Sequence, residues 1–189
     1  QPTPAPGGKF MAYRAMKRPT FEADRFGIII REEDQGGWKD RELAPGWDRS
    51  ANSIVWAADG KTIYTTAEDI GQTKLFAIDV RSGKATALTE QGHVSAFDVS
   101  PRGIVYAQDN LSSPSQVFFL PAKAGSKPVQ LTRANADALK DIEFGAYEQF
   151  SFPGWNNDTV YGYLVKPVGF DPAKKYPVAF LIHGGPQGS

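Results

Sequence analysis

Short runs of aliphatic, aromatic and β-branched residues alternate with turns rich in Gly, Pro and Asp through most of the chain. The stretch from Lys74 to Val80 shows the pattern best. Leu75 and Ala77 fall on one side of a strand with a period of two residues, and Phe76 and Ile78 fall on the other. No segment has a strong helical period of 3.6 residues. The pattern predicts a mainly β protein built from short strands.

These strands recur as a repeat. A turn rich in Gly, Lys or Pro precedes a short β-rich run three times, and each run ends in an aromatic residue: Phe10 to Tyr13, Thr62 to Tyr64, and Ile104 to Tyr106. A second marker contains Leu43, Leu88 and Leu131, at spacings of 45 and 43 residues. That period is the length of a four-stranded β-propeller blade. Three blades do not close a ring, which takes about four to eight, so we expect further blades upstream of this chain.

The pattern changes from about Ala134. Residues 148–152 and 159–165 have the composition of two strands, with an Asn-Asn-Asp turn between them. Residues 178–182 form a continuous apolar run, Val-Ala-Phe-Leu-Ile. Such a run is typical of a strand that is buried on both faces of an α/β sheet.

Composition and charge narrow the classes of partner. The 189 residues carry 21 Lys and Arg against 21 Asp and Glu, so the net charge is zero. This removes the electrostatic argument for binding nucleic acid or an anionic membrane. No apolar run approaches the ~20 residues that a membrane-spanning helix requires. The absence of cysteine excludes disulfides and thiolate metal sites.

The most specific motif is His183-Gly184-Gly185-Pro186, directly after the apolar run. In α/β-hydrolases an HGGG-type loop after a buried strand donates a backbone N–H to the oxyanion hole. Glycine suits this role because a Cβ would keep the backbone away from the substrate oxygen. The alternative is an ordinary Gly-rich turn.

The chain resembles the prolyl oligopeptidase family of serine peptidases in two features. It has blade turns such as 58–61 (Ala-Asp-Gly-Lys), followed by a strand that ends in His183-Gly184-Gly185-Pro186-Gln187-Gly188-Ser189. The resemblance is to the family's acylaminoacyl-peptidase and bacterial dipeptidyl-peptidase V type branch. Residues 21–25 (Phe-Glu-Ala-Asp-Arg) and 46–50 (Gly-Trp-Asp-Arg-Ser) also resemble that branch, so the resemblance covers the whole chain.

The resemblance implies a two-domain peptidase without a cofactor, in which a propeller restricts an α/β-hydrolase domain to short peptides. It implies that the Gly185 backbone N–H serves the oxyanion hole, with His183, Gly184 and Pro186 completing the motif. The nucleophile motif G-x-S-x-G is absent from the 189 residues. We therefore expect this chain to be a piece of a longer protein, with the Ser-Asp-His triad downstream, and to be inactive alone. The expected parts are C-terminal propeller blades (1–133), a linker (134–146) and the truncated N-terminal part of the hydrolase domain (147–189).

Glu22 and Asp24, beside Arg25, form a charged cluster in a loop between blade strands. Their carboxylates are candidates for binding the ammonium group of a peptide substrate, and the alternative is a solvated loop with a surface ion pair. We expect no metal site. The adjacent acids at residues 32–34 would point to opposite faces of a strand, and His93 has no second ligand at a suitable spacing.

The sequence thus predicts part of a serine exopeptidase that releases dipeptides or acylated amino acids through an acyl-enzyme intermediate. Two alternatives remain open: a non-catalytic propeller that serves as a binding module, and an esterase with the same hydrolase opening. The expected partners are a short peptide substrate and the remainder of the same polypeptide. Unpaired sheet edges would favour homo-oligomers. The resemblance favours a periplasmic or secreted location and leaves a cytoplasmic one open.

Overall fold

The computed structural model describes residues 2–182. Nearly all of its regular structure is β, as the pattern predicts. The first four strands form one antiparallel sheet in chain order. They are β1 (Thr3–Pro4), β2 (Phe10–Ala15), β3 (Gly27–Asp34) and β4 (Gly37–Leu43).

The next eight strands form two further groups of four, each antiparallel and in chain order. A single parallel bridge between Thr73 and His93 joins the two groups. The strands are β5 (Val55–Trp56), β6 (Thr62–Asp69), β7 (Gln72–Asp79), β8 (Ala85–Ala87), β9 (His93–Ser100), β10 (Gly103–Asn110), β11 (Ser113–Pro121) and β12 (Val129–Gln130). Each group of four corresponds to one unit of the predicted repeat.

The recurring Leu-Thr pair has a structural reason in the second and third groups. The Leu88 amide bonds to the Leu75 carbonyl at 2.7 Å, and Thr89 then accepts the Leu75 amide on its side-chain oxygen at 3.0 Å. In the third group the Val117 amide bonds to the Thr132 side-chain oxygen at 2.9 Å. The threonine hydroxyl therefore continues the hydrogen bonding of the outer strand where its backbone ladder ends.

Alternation along the middle group places its two faces in two different cores. Ile63 and Ile78 are fully buried against the first group, in a cluster that contains Ile28 and Ile30. Leu75 is fully buried on the opposite side, in a cluster with residues of the third group: Val94, Ile104 and Tyr106. A strand that is covered on both faces explains why both members of the period-two pattern are apolar.

The connection between the second and third strands of each group is a distinctive feature of the fold. In the second group it is the tight turn Ile70-Gly71, with φ of 52° and 71°, and in the third it is Leu111-Ser112. In the first group the same connection is an eleven-residue loop, residues 16–26. The first group therefore carries extra chain at this end of the blades.

The segment after the third group contacts this same end. It contains α1 (Ala136–Leu139), β13 (Tyr147–Pro153), a 3-10 turn (Trp155–Asn157) and β14 (Thr159–Val165), of which β13 and β14 form a hairpin. The Gln149 side-chain amide donates to the Ile70 carbonyl at 2.7 Å, and Gln72 donates to the Tyr163 hydroxyl. The hairpin is therefore held against the β6–β7 turn.

One predicted strand is not formed. Residues 178–182 have no strand assignment, and Val178, Phe180, Leu181 and Ile182 are at least 78% exposed. The prediction of a strand buried on both faces is wrong for the part of the chain that the structure describes, because no other described strand lies alongside to pair with it. Between residues 2 and 182, no helix has the length and apolar character to cross a membrane.

Candidate functional site

A cavity of about 480 Å³ lies between the first two groups of strands, at the end that carries the long loop. Its walls come from the end of β2, the 16–26 loop, the connection between β4 and β5, and the end of β6. The lining residues are Arg14, Ala23, Arg25, Phe26, Asp48, Arg49, Ser50, Ala51, Asn52 and Glu68. Three arginines and two carboxylates thus meet in one cavity.

Arg14 is fixed by neutral groups. Its Nη1 donates to the Ala51 carbonyl at 2.8 Å, and its guanidinium carbon lies 5.5 Å from the centroid of the Phe26 ring. No carboxylate among residues 2–182 pairs with it. A carbonyl uses one of the five N–H donors of an arginine, and because Arg14 is exposed, its other donors face solvent.

Arg49 is held by an acid behind the cavity wall. Its Nε and Nη2 donate to Asp69 Oδ1 at 2.8 and 2.7 Å, and Lys74 Nζ donates to Asp69 Oδ2 at 2.6 Å. Burial raises the pKa of Asp69, but the hydrogen bonds from Lys74 and Arg49 outweigh it, so this pKa lies below its ordinary value. Asp69 is therefore ionised and keeps Arg49 in place.

Arg25, one of the residues singled out in the sequence, is also held by an acid. It donates to Glu42, whose other oxygen lies 3.7 Å from Lys17 Nζ. Gly27 lies directly beneath this pair, and a Cβ there would approach Glu42 Oε1 to 2.9 Å. Glycine at residue 27 thus leaves room for the ion pair.

Asp24 and Glu22 differ in their surroundings. Asp24 accepts the Arg18 amide at 2.6 Å and the Arg25 amide at 3.0 Å, and the first of these is the main reason that its pKa is lowered. Its carboxylate therefore closes the loop. Glu22 is exposed beside the cavity, and it has no hydrogen bond or ion pair with any residue in the described range.

The cavity wall has an excess of positive charge. Its three arginines face two carboxylates, Asp48 and Glu68, and both of these are exposed. Behind the wall, two acids and two lysines offset one another: Glu42 and Asp69, and Lys17 and Lys74. The lining residues therefore attract an anion, and the carboxylates of Glu22 and Asp24 on the adjoining loop oppose that attraction.

The sequence offered two other candidates, the motif at residues 183–186 and His93. His183, Gly184, Gly185 and Pro186 are outside the described residues. His93 lies on β9 with its Nδ1 3.3 Å from Asp109 Oδ2. Among residues 2–182, the structure holds no group of three or more His, Asp or Glu side chains with metal-binding geometry.

Arg14 and Arg49 were not identified as site residues from the sequence. Arg49 lies within residues 46–50, which carried part of the family resemblance, so this segment already pointed to the cavity. Arg14 gave no such signal, because a single charged residue at the end of a strand is most often solvated surface. Its role depends on the neighbouring connection between β4 and β5, which is distant in sequence.

Comparisons with known proteins agree with the predicted resemblance. No protein-family model matches the chain. Dipeptidyl-peptidase 5 of the fungus Trichophyton equinum is 37% identical over 195 aligned residues, and the alignment covers 100% of this chain and 26% of the relative. The chain thus spans about a quarter of the length of the curated relatives that it matches.

Solved structures agree on the fold. Acylaminoacyl peptidase of Pyrococcus horikoshii superposes with a TM-score of 0.67 at 16% identity, over 85% of this chain and 24% of that protein. The β-propeller domain of the Trilobed protease of Pyrococcus furiosus superposes with a TM-score of 0.54 at 18% identity, over 68% of this chain and 36% of that one. The resemblance to the acylaminoacyl-peptidase and dipeptidyl-peptidase V type branch of the prolyl oligopeptidase family is confirmed. The fold class is confirmed as well, since the chain is mainly β and its structural neighbours are a β-propeller domain and acylaminoacyl peptidases.

Proposed function

We propose that this chain is part of a serine peptidase that removes dipeptides or acylated residues from short peptides. The observation that carries the proposal is the similarity to dipeptidyl-peptidase 5, which extends over the whole chain and not only over the blades. A non-catalytic propeller would account for the three groups of strands alone. It would not account for similarity through the hairpin and the segment that follows it. An esterase whose α/β-hydrolase domain begins with the same strands would not account for the blades.

The proposed chemistry needs groups beyond this chain. A serine hydroxyl attacks the scissile carbonyl while a histidine takes its proton, and the same histidine then protonates the leaving amine. Water hydrolyses the resulting acyl-enzyme. The Gly185 backbone N–H is proposed as an oxyanion donor, with His183, Gly184 and Pro186 shaping its loop. Such a donor contributes about 10²–10³ in rate. Without a G-x-S-x-G motif, the 189 residues alone are proposed to be inactive.

Within the charged cluster, we propose that Glu22 binds the substrate ammonium group. Asp24 and Arg25 are engaged by the loop and by Glu42, so they position the segment. Glu22 is exposed and has no internal partner between residues 2 and 182. Its loop lies at the end of the blades that faces the hairpin, on the side where the proposed peptidase domain begins.

The test replaces Glu22 with glutamine in the full-length protein. A charge-assisted hydrogen bond contributes about 1.5–3 kcal/mol, so we expect KM for a dipeptidyl substrate with a free amino group to rise about tenfold at unchanged kcat. An N-acylated substrate should show no change, because it presents no ammonium group. Glu33→Gln is the matched control, since Glu33 is exposed at the β3–β4 turn, away from the cavity. An unchanged KM for the free-amino substrate would overturn the role of Glu22.

A further inference from the structure

Among the described residues, Arg14 is the cavity arginine that has no carboxylate partner. Arg25 and Arg49 donate to internal carboxylates, whereas the only polar partner of Arg14 among the described residues is a neutral carbonyl. Four of its five N–H donors are left without a described protein acceptor. A guanidinium in this state, on the wall of a cavity, is available to a ligand with a compact negative charge.

The geometry also favours a fixed orientation for Arg14. The Ala51 carbonyl holds one edge of the guanidinium, and the Phe26 ring lies beside it at 5.5 Å. Phe26 is held in turn by the bond from its amide to Ser50 Oγ at 3.1 Å. An arginine that is oriented before binding loses less side-chain entropy on forming a bidentate pair.

The surrounding charges favour a single carboxylate over a larger anion. Asp48 and Glu68 line the same cavity, and without solvent their carboxylates would repel an incoming anion. Both are exposed, Asp48 to 96% of its side-chain area, so water weakens that repulsion. The lining residues carry one net positive charge, and Glu22 and Asp24 on the adjoining loop add negative charge, so a singly charged carboxylate suits this site better than a doubly charged phosphate.

We propose that this cavity binds a carboxylate group of a short peptide, with Arg14 as the binding residue. The inference rests on the proposed function, because that function supplies the peptide. The carboxylate has two sources, an acidic side chain and the C-terminal carboxylate of the peptide. Both have the same planar pair of oxygens, which accepts two parallel N–H bonds from an arginine.

The test measures binding of four peptides to the full-length protein by calorimetry. The set is Ala-Ala-Glu-Ala, Ala-Ala-Gln-Ala, and the C-terminal amide of each. Where a peptide is hydrolysed, KM from initial rates replaces the dissociation constant. If the side chain is bound, changing Glu to Gln weakens binding about tenfold, and if the terminus is bound, amidation does so. Wild-type protein that binds all four peptides equally overturns the inference.

Variants assign the effect to Arg14. Arg14→Gln should abolish the discrimination between acidic and neutral peptides. Arg14→Lys should retain about a third of this discrimination, because a lysine keeps the positive charge but lacks the paired N–H donors of the guanidinium. Arg102→Gln is the matched control, since it removes the same charge at the exposed β9–β10 turn. If Arg14→Gln lowers the melting temperature by more than about 5 °C, the peptide discrimination of Arg14→Lys is used to test the inference instead. Undiminished discrimination in a folded Arg14 variant overturns the inference.

The two proposals fail in different ways. Hydrolysis of all four peptides without preference would overturn the carboxylate site and leave the peptidase function standing. Carboxylate-dependent binding without hydrolysis would overturn the peptidase function and leave the site standing.

Discussion

Asp69 connects the β6–β7 hairpin to the cavity wall, and replacing it with asparagine should loosen both. Its side chain is 18% exposed, and it accepts three hydrogen bonds from two cations, Arg49 and Lys74. Asparagine has the same shape but no charge. In Asp69→Asn, the two cations would lie close together without the anion that separates them.

The expected cost lies between two limits. Breaking a fully buried ion pair costs about 3–5 kcal/mol, and an exposed pair is worth about 0–1 kcal/mol. Arg49 is 31% exposed and Lys74 is 20% exposed, so the network is partly shielded from solvent. We therefore expect a loss of about 2 kcal/mol in local stability, which corresponds to roughly thirtyfold faster exchange.

The assay is hydrogen–deuterium exchange of the segment covering β6 and β7 in the full-length protein. Asp48→Asn is the matched control. Asp48 lies 3.7 Å from the same arginine but is 96% exposed, so its loss should change exchange less than about twofold. Equal effects of the two substitutions, or less than a threefold change in Asp69→Asn, would refute the argument that burial strengthens this network.

The pH dependence has a definite sign. Because the folded-state pKa of Asp69 is lowered, its contribution is fully present above the unfolded pKa of about 3.9 and is lost as pH falls through the folded value. The exchange ratio of Asp69→Asn to wild type, measured at each pH, should therefore shrink below about pH 4. A ratio that stays constant into this range would contradict the assigned ionisation.

Two further substitutions test the packing. Gly71→Ala should cost about 1 kcal/mol more stability than Gly36→Ala and should speed exchange in the β13–β14 hairpin. Both glycines have positive φ, but only at Gly71 would a Cβ meet Tyr163, at 2.8 Å. Equal exchange in the two variants would contradict the hairpin contact. Ile63→Ala should cost about 3–4 kcal/mol of stability, since the Ile63 side chain is fully buried between the first two groups. Val105→Ala should cost less than about 1 kcal/mol, because Val105 is 41% exposed. Urea midpoints that differ little between these two variants would contradict the assigned core.

Local chemistry made the blades predictable from the sequence. The runs beginning at Phe10, Thr62 and Ile104 lie in β2, β6 and β10, and the predicted strand over 159–165 has the bounds of β14. Period-two alternation and turn residues determine such strands within a few residues of chain. The spacing of the repeat extended this local signal to the arrangement of whole groups.

Features that depend on distant contacts were harder to predict. The apolar run at 178–182 has the composition of a buried strand, but a strand forms only where a partner supplies its hydrogen bonds. Likewise, Glu22, Asp24 and Arg25 are adjacent in sequence but differ in partners, because Glu42 and the amide of Arg18 engage two of the three. Arg14 enters the site through Ala51, 37 residues away.

The most direct test of the proposed function is labelling by a serine-directed fluorophosphonate. We predict that the full-length protein binds one equivalent covalently and loses peptidase activity in parallel. The 189-residue chain should bind none, because it contains no nucleophile motif. A full-length protein that is not labelled and cleaves no dipeptidyl or acylaminoacyl substrate would contradict the assignment to the serine peptidases.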